Sequence, residues 1–273
     1  MFDRADVTYI YDGSFDGFLC CVFMSYREKE TPSAIFEENT ATGTLFHSKV
    51  VITELQQARR VRDSIITKLG AQAAELLQRA FFSCLEQKEL HMLIFMQLAY
   101  QEGPAVVNML THPAVDILVR AVKRLDGEVQ KYKGFVRFSI HEGLMIAVIM
   151  PQNNVLPYLA RHFRERFPRE SFLIYDKPRQ MAVMQHKRQV RYTYNFEFSL
   201  PEHSPEELHY QNLWRLFHNT IAIKERENLA CQRNFMPKRY WSELTEMQPF
   251  AKNTALESYN SPKPAKINPS TKC

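Results

Sequence analysis

The sequence predicts an α+β protein in which a helical N-terminal part precedes a sheet-bearing, strongly basic part. Three observations carry that prediction. Apolar residues recur at three- and four-residue spacing from about residue 54 to Tyr132, the signature of amphipathic helices. From Gly134 to Phe198 the period shortens to β-like runs separated by turn signals. With 273 residues, 45% of them hydrophobic and 19 of them phenylalanine, the chain can bury a substantial core.

The elements follow in order. Asp6–Tyr11 is rich in β-branched and aromatic residues and reads as a strand, and Asp12-Gly13-Ser14 reads as a turn. Phe18, Leu19, Val22, Phe23 and Tyr26 then fall on one helical face. Residues 28–43 are polar and hold Pro32 and Gly43, so a loop is expected, and Leu45–Ile52 reads as a second strand. Thr53-Glu54-Leu55-Gln56 has the pattern of a capping box, opening a helix that stops at Gly70. Ala71–Glu86, Lys88–Gln101 and Pro113–Lys131 are further helices, divided by Gly103-Pro104 and His112-Pro113.

Phe135–Ile140 and Leu144–Met150 form an expected hairpin around His141-Glu142-Gly143. A helix over 153–167 lines up Leu156, Leu159, Phe163 and Phe167. Ser171–Tyr175, Met181–Gln185 and Val190–Phe198 complete a ββαβββ order, read as one antiparallel sheet with a helix on it. Ser204-Pro205-Glu206-Glu207 is a second capping box. Its helix, running to about Asn228, is expected to bury Leu213, Phe217 and Ile221, and a shorter helix follows Pro237. The implied organisation is a mostly helical part over 1–132, a basic α+β part with C-terminal helices over 133–247, and a proline-containing disordered tail over 248–273.

Charge is concentrated in one span. Between Arg161 and Tyr194 stand nine lysines or arginines against three acids, a surplus of six, while the whole chain carries only +5. Phe163, Phe167, Phe172, Tyr175, Tyr192 and Tyr194 interleave with these cations. Clustered cations with aromatics fit a polyanion, above all nucleic acid. Phosphate contacts would come from Arg161, Arg164, Arg166, Arg179, Lys187, Arg188 and Arg191, joined by Arg233, Lys238 and Arg239. The bland alternative is a solvated basic face whose aromatics point into the sheet. Arg226, Gln232, Arg233, Lys238 and Arg239 stand beside Phe235, Tyr240 and Trp241, either as a groove wall or as a helix pair docked on the sheet. The run Lys133–Phe138 has a trace of an RNA-recognition strand but lacks its second aromatic pair.

Signals for chemistry are sparse. Asp12 and Ser14 follow the first strand, where they either cap the next helix or place a carboxylate in a site. His162 and Arg226 are the other candidate site groups, and no spacing links a histidine to Ser14. His203 and His209 lie six apart and His209 and His218 nine apart, neither matching paired metal ligands on one helix face. No cofactor or metal is expected. No run approaches the ~18 apolar residues of a membrane span, no secretory signal is evident, and the five cysteines form no disulfide framework, so a cytoplasmic location is expected.

Several segments together resemble a known family. They are Tyr11–Leu19, Gly134–Phe138, Val155-Leu156-Pro157, His162-Phe163 with Arg166-Phe167, Ile174-Tyr175-Asp176 with Arg179, and Ile221-Ala222-Ile223 with Arg226, Asn228, Gln232, Phe235, Pro237 and Arg239-Tyr240. This set, covering about residues 7–246, resembles a bacterial family of DNA-metabolism or DNA-repair proteins whose conserved domain has no assigned function. The resemblance implies a genomic pairing with a radical-SAM protein of DNA repair. In some members it also implies fusion to a uracil-DNA glycosylase-like domain. It transfers no catalytic residue. The chain carries Gln152-Asn153-Asn154 where the family has an acidic residue before Val155. The expected function is therefore DNA binding in repair or metabolism beside a partner enzyme. The alternatives are a stand-alone glycosylase- or nuclease-like enzyme, or a protein adaptor.

Overall fold

Strand β1 (Asp3–Tyr11) opens a computed structural model that describes residues 3–38 and 47–249. It is the middle of a three-stranded parallel sheet, flanked by β2 (Glu30–Glu37) and β3 (His47–Val50). Helix α1 (Phe15–Glu28) makes the crossover from β1 to β2. The loop expected over 28–43 is thus a strand through Glu37. Its polar Thr31, Pro32 and Ser33 hid it, and Pro32 is tolerated because β2 is an edge strand. Residues 39–43 of that expected loop lie outside the described residues.

Ser14 caps α1, accepting the Gly17 N–H at 2.9 Å. Asp12 in turn accepts from the Ser14 N–H and Oγ and from Thr53 Oγ1 at 2.7–2.9 Å. Thr53 is therefore spent on Asp12, and α2 (Leu55–Ser64) starts with no side-chain cap. Gly17 is dictated by space: a Cβ there would overlap Asp12 Oδ1 and stand 2.8 Å from Thr53 Oγ1.

After α2 come a π-helical turn (Ile65–Leu69), α3 (Gly70–Phe81), α4 (Lys88–Glu102) and α5 (Pro113–Phe135). Gly70, at φ +83°, separates the π turn from α3. α3 ends five residues before the expected Glu86. The core of this region gathers Tyr9, Phe18, Leu19, Leu77, Met92, Phe95 and Leu118, all at most 1% exposed. α5 runs past the expected end at Lys131 and through Gly134, where the β-like period was expected to begin. Tyr132 and Phe135 both pack their rings on Tyr240, with centroids 5.1 and 5.2 Å away, and that packing outweighs the glycine's weak helix propensity. The expected strand over 135–140 shrinks to β4 (Ser139–His141), so Lys133–Phe135 are helical and the trace of an RNA-recognition strand disappears.

The second sheet runs β4, β5 (Leu144–Ile149), β6 (Phe172–Asp176), β7 (Met181–His186), β8 (Gln189–Thr193). It is mixed rather than antiparallel. α6 (Leu156–Arg166) crosses between β5 and β6, and such a crossover returns the chain in the same direction. β8 stops at Thr193, short of the expected Phe198. Asn195 turns to φ +52°, and Phe196 and Phe198 then leave the ladder to meet the Tyr175 ring edge-on.

α7 (Pro205–Ile221), capped by Ser204 as expected, ends before Asn228, and α8 (Leu229–Phe235) follows. Short 3-10 turns occupy Lys238–Glu243 and Thr245–Met247. α7 reverses its expected orientation. Asn212 and Arg215 are its buried residues, while Leu213, Phe217 and Ile221 are exposed. Two compact units result. One holds the residues up to Gln130 together with Pro151–Tyr158, and the other holds Lys131–Met150 and the residues from Leu159 on. The expected disordered tail, from Phe250 on, lies outside the described residues. Among the described residues no helix is long and apolar enough to cross a membrane.

Candidate nucleic-acid interface

The register of the second sheet sorts the basic residues onto its two faces. Phe172, Ile174, Val183 and Tyr192 share one face through the pairs Ile174–Val183 and Val183–Tyr192. α6 covers this face, its Phe163 ring lying 6.5 Å from Phe172. Leu156, Leu159 and Phe163 are buried, which leaves Arg161, Arg164 and Arg166 exposed on the outer side of α6. Burial raises the Tyr192 hydroxyl above its ordinary value, the Arg164 charge working against it.

Leu173, Met184 and Arg191 lie on the opposite face. There Arg191 borders an open recess of about 550 Å³ shared with Glu142, Leu144, Met184 and His186. Ser171 Oγ and His186 Nδ1 meet at its rim, 3.0 Å apart.

The β7–β8 hairpin closes with two residues, Lys187 and Arg188, at φ +48° and +65°. A two-residue turn with both φ values positive normally takes Asn or Gly. An ordinary side chain in the left-handed region costs about 1–2 kcal/mol. The chain nevertheless places two cations there, both exposed.

The predicted phosphate contacts divide by their partners. Among the described residues Arg164, Arg166, Lys187, Arg188 and Arg191 make no ion pair, while Arg161 pairs with Glu165 at 3.2 Å. Arg179 is held by the fully buried Asp176 at 3.2 Å and is committed to the fold. Arg233 is exposed and makes no ion pair among the described residues, Lys238 lies over Trp241 at 6.0 Å, and Arg239 lies over Tyr240 at 4.7 Å.

The three candidate site groups have different surroundings. Asp12 belongs to the N-terminal unit, where both its oxygens serve the β1–α1 turn and Thr53. Burial would raise its carboxyl, but those donors outweigh burial and hold it below the ordinary value. His162 sits on α6 with its ring against Phe163 and a buried Nε2 that has no hydrogen-bond partner among the described residues. Burial, then Lys133 and Arg166, depress its pKa. Arg226 is exposed in a 3-10 turn. The Gln152-Asn153-Asn154 segment is also structural at its centre. Glu128, 2% exposed, accepts from the Gln152 N–H and from the Asn153 N–H and Nδ2, while Asn153 Oδ1 accepts from the Cys84 N–H.

The sequence reading missed a second feature, a groove along α7. Arg215 is 6% exposed, and among the described residues its guanidinium donates to neutral acceptors: Thr245 O, Asn212 Oδ1 and Gln211 Oε1, at 2.7–3.3 Å. It borders a recess of about 260 Å³ with Lys177, His203 and Glu243. A neighbouring recess of about 760 Å³ is lined by Tyr210, Trp214 and Ile140, and the two share Arg137, Phe138, Gln211 and Thr245. The signal was readable in one respect: Arg215 is a lone cation inside Leu213-Trp214-Arg215-Leu216-Phe217.

These features define an α+β protein with a cationic sheet edge and a groove beside its C-terminal helices. The chain belongs to the family described as Domain of unknown function (DUF4130), whose model matches residues 86–246. That span takes in the second sheet, α6 and α7. No curated protein matches the chain.

Proposed function

We propose that this is a DNA-binding protein of DNA repair or DNA metabolism, holding DNA on the basic edge of its second sheet while a partner enzyme acts. One observation carries the reading: two cations occupy a strained hairpin tip, with Arg164 and Arg191, which make no ion pair among the described residues, on either side of the sheet behind it. Solvated charge alone gives no reason to keep lysine and arginine where glycine or asparagine would fit at lower cost. Phosphate neutralisation gives one, since each contact releases condensed counterions. The family resemblance supplies the cellular role and makes a radical-SAM enzyme of DNA repair the favoured partner. The described cysteines are all free thiols, which suits a cytoplasmic setting.

An adaptor that uses α7 is the second reading. Leu213, Phe217 and Ile221 form an exposed apolar row, 38–59% accessible, of the kind that docks on protein. Fluorescence anisotropy with labelled DNA over a salt series separates the two. DNA binding predicts log affinity falling steeply with log salt. Arg164→Ala combined with Lys187→Ala and Arg188→Ala should then lower the slope by about one per cation removed. Unchanged affinity and slope in that triple variant would reject the surface, and absence of binding at low salt would favour the adaptor.

A further inference from the structure

A buried cation is costly unless something neutralises it. Arg215 is the case in point: it is nearly inaccessible, its hydrogen bonds among the described residues go to neutral oxygens, and a guanidinium has five N–H donors. Three of those donors are used, leaving two for the recess it borders. Lys177 lines the same recess and also makes no ion pair among the described residues. His203 adds a buried Nδ1 with no hydrogen-bond partner among the described residues. The single carboxylate of the lining, Glu243, is occupied by the Met150 N–H and the Tyr132 hydroxyl. The recess is therefore built for an anion. At about 260 Å³ it lies below the ~300 Å³ at which pockets for whole drug-sized ligands begin, so it takes one small anionic group.

The neighbouring recess supplies the complement. Trp214 donates Nε1–H to Glu246 at 3.0 Å, and the same carboxylate binds Arg137 at 2.6 Å, with the Arg137 guanidinium 6.0 Å from the Trp214 ring centre. The indole is thus held in place while still 43% exposed, and Tyr210 beside it is 69% exposed. A fixed, exposed aromatic shelf next to an anion pocket matches a ligand with a flat ring and a phosphate.

We propose that the α7 groove binds a nucleoside monophosphate group, its phosphate on Arg215 and Lys177 and its base on Trp214 and Tyr210. The choice of a nucleotide over other aromatic anions rests on the nucleic-acid reading above. The groove lies apart from the hairpin tip in sequence and uses none of its residues. The shared chemistry has two sources, a free mononucleotide or the phosphorylated end of a strand. A terminal phosphate fits better than an internal one, because Arg215 is too enclosed for a phosphate flanked by two sugars.

The test uses the full chain and three single strands, carrying a 5′-phosphate, a 3′-phosphate or no terminal phosphate, each labelled at an unphosphorylated end. Adenosine monophosphate and inorganic phosphate serve as competitors. A phosphorylated strand should bind about tenfold tighter than the unphosphorylated one, the factor of one charge-assisted contact. Adenosine monophosphate should erase that difference more effectively than inorganic phosphate. Lys177→Ala should remove the phosphate preference and Tyr210→Ala the advantage of the nucleotide over phosphate. Both side chains are exposed, so these variants keep the fold even if Arg215→Met does not. Binding of the mononucleotide with no preference for strand ends assigns the groove to the free ligand. Inorganic phosphate competing equally well, or no effect from either variant, overturns the proposal. Salt-sensitive strand binding without mononucleotide binding sinks this site alone. Mononucleotide binding with an inert hairpin tip sinks the sheet surface alone.

Discussion

Asn153 lies in the segment where the resembled family carries an acidic residue, and in space it is structural. Its amide does what no carboxylate could do there. Nδ2 donates to Glu128 while Oδ1 accepts from the Cys84 N–H, and both Asn153 and Glu128 are at most 3% exposed. Asn153→Asp would set a second buried carboxylate against the first. Breaking such a buried arrangement leaves uncompensated charge, at a cost of about 3–5 kcal/mol. The linkage has a definite sign. Repulsion and burial raise the folded-state pKa of the carboxylate pair, so the folded variant binds a proton that the unfolded chain does not. Its deficit should be largest near pH 7 and shrink as pH falls through the raised value. Urea denaturation of both proteins at pH 7 and pH 5 measures this, and equal midpoints at pH 7 would refute the role. At this scale the sequence was legible where spacing alone decides. Ser14 and Ser204 cap as their patterns predict. It was illegible where a distant partner decides: nothing local to Thr53 says that its hydroxyl belongs to Asp12, forty-one positions away.

At the scale of elements, α6 kept its predicted apolar stripe and α7 did not, for one physical reason. A helical face is readable when the buried side is the apolar side. α7 instead turns Asn212 and Arg215 inward onto the turn Thr245–Met247 and leaves its apolar row outside. β2 escaped notice in a similar way, since a polar edge strand lacks the alternation that marks a half-buried one. α7 is also held through Glu246, 7% exposed, which bonds both Arg137 and Trp214. Burial opposes ionisation of Glu246, but Arg137 and the Trp214 N–H outweigh it, and its pKa lies below the ordinary 4.5. A depressed carboxylate contributes stability that is fully present above its unfolded pKa and is lost as pH falls through the folded one. Trp214 reports this directly in a Trp241→Phe background. Its emission should hold steady down to pH 4.5 and change below it, and Arg137→Met should move the change upward. A transition above pH 4.5 in the parent would show that Glu246 is not the group that holds the indole.

At the scale of the whole molecule, the mixed topology of the second sheet decides how charge is displayed. A wholly antiparallel sheet would have been indistinguishable from this one in charge count. The β5–α6–β6 crossover puts α6 on one face of the sheet, which carries Arg164 there and leaves Arg191 on the other. The β7–β8 hairpin is therefore cationic on both sides and at its tip, more like a ribbon that enters a groove than a flat platform. A ribbon and a platform differ in a measurable way. If DNA straddles the hairpin, Arg164→Ala and Arg191→Ala each remove a phosphate contact, each lowering the salt slope by about one, and the double variant lowers it by about two, because well-separated sites add. If DNA lies on the α6 face alone, Arg191→Ala leaves the slope where it was, and the double variant matches Arg164→Ala. Anisotropy titrations of the two single variants and the double variant over one salt series make the choice. The ribbon requires additivity, because cations on opposite faces cannot reach the same phosphate.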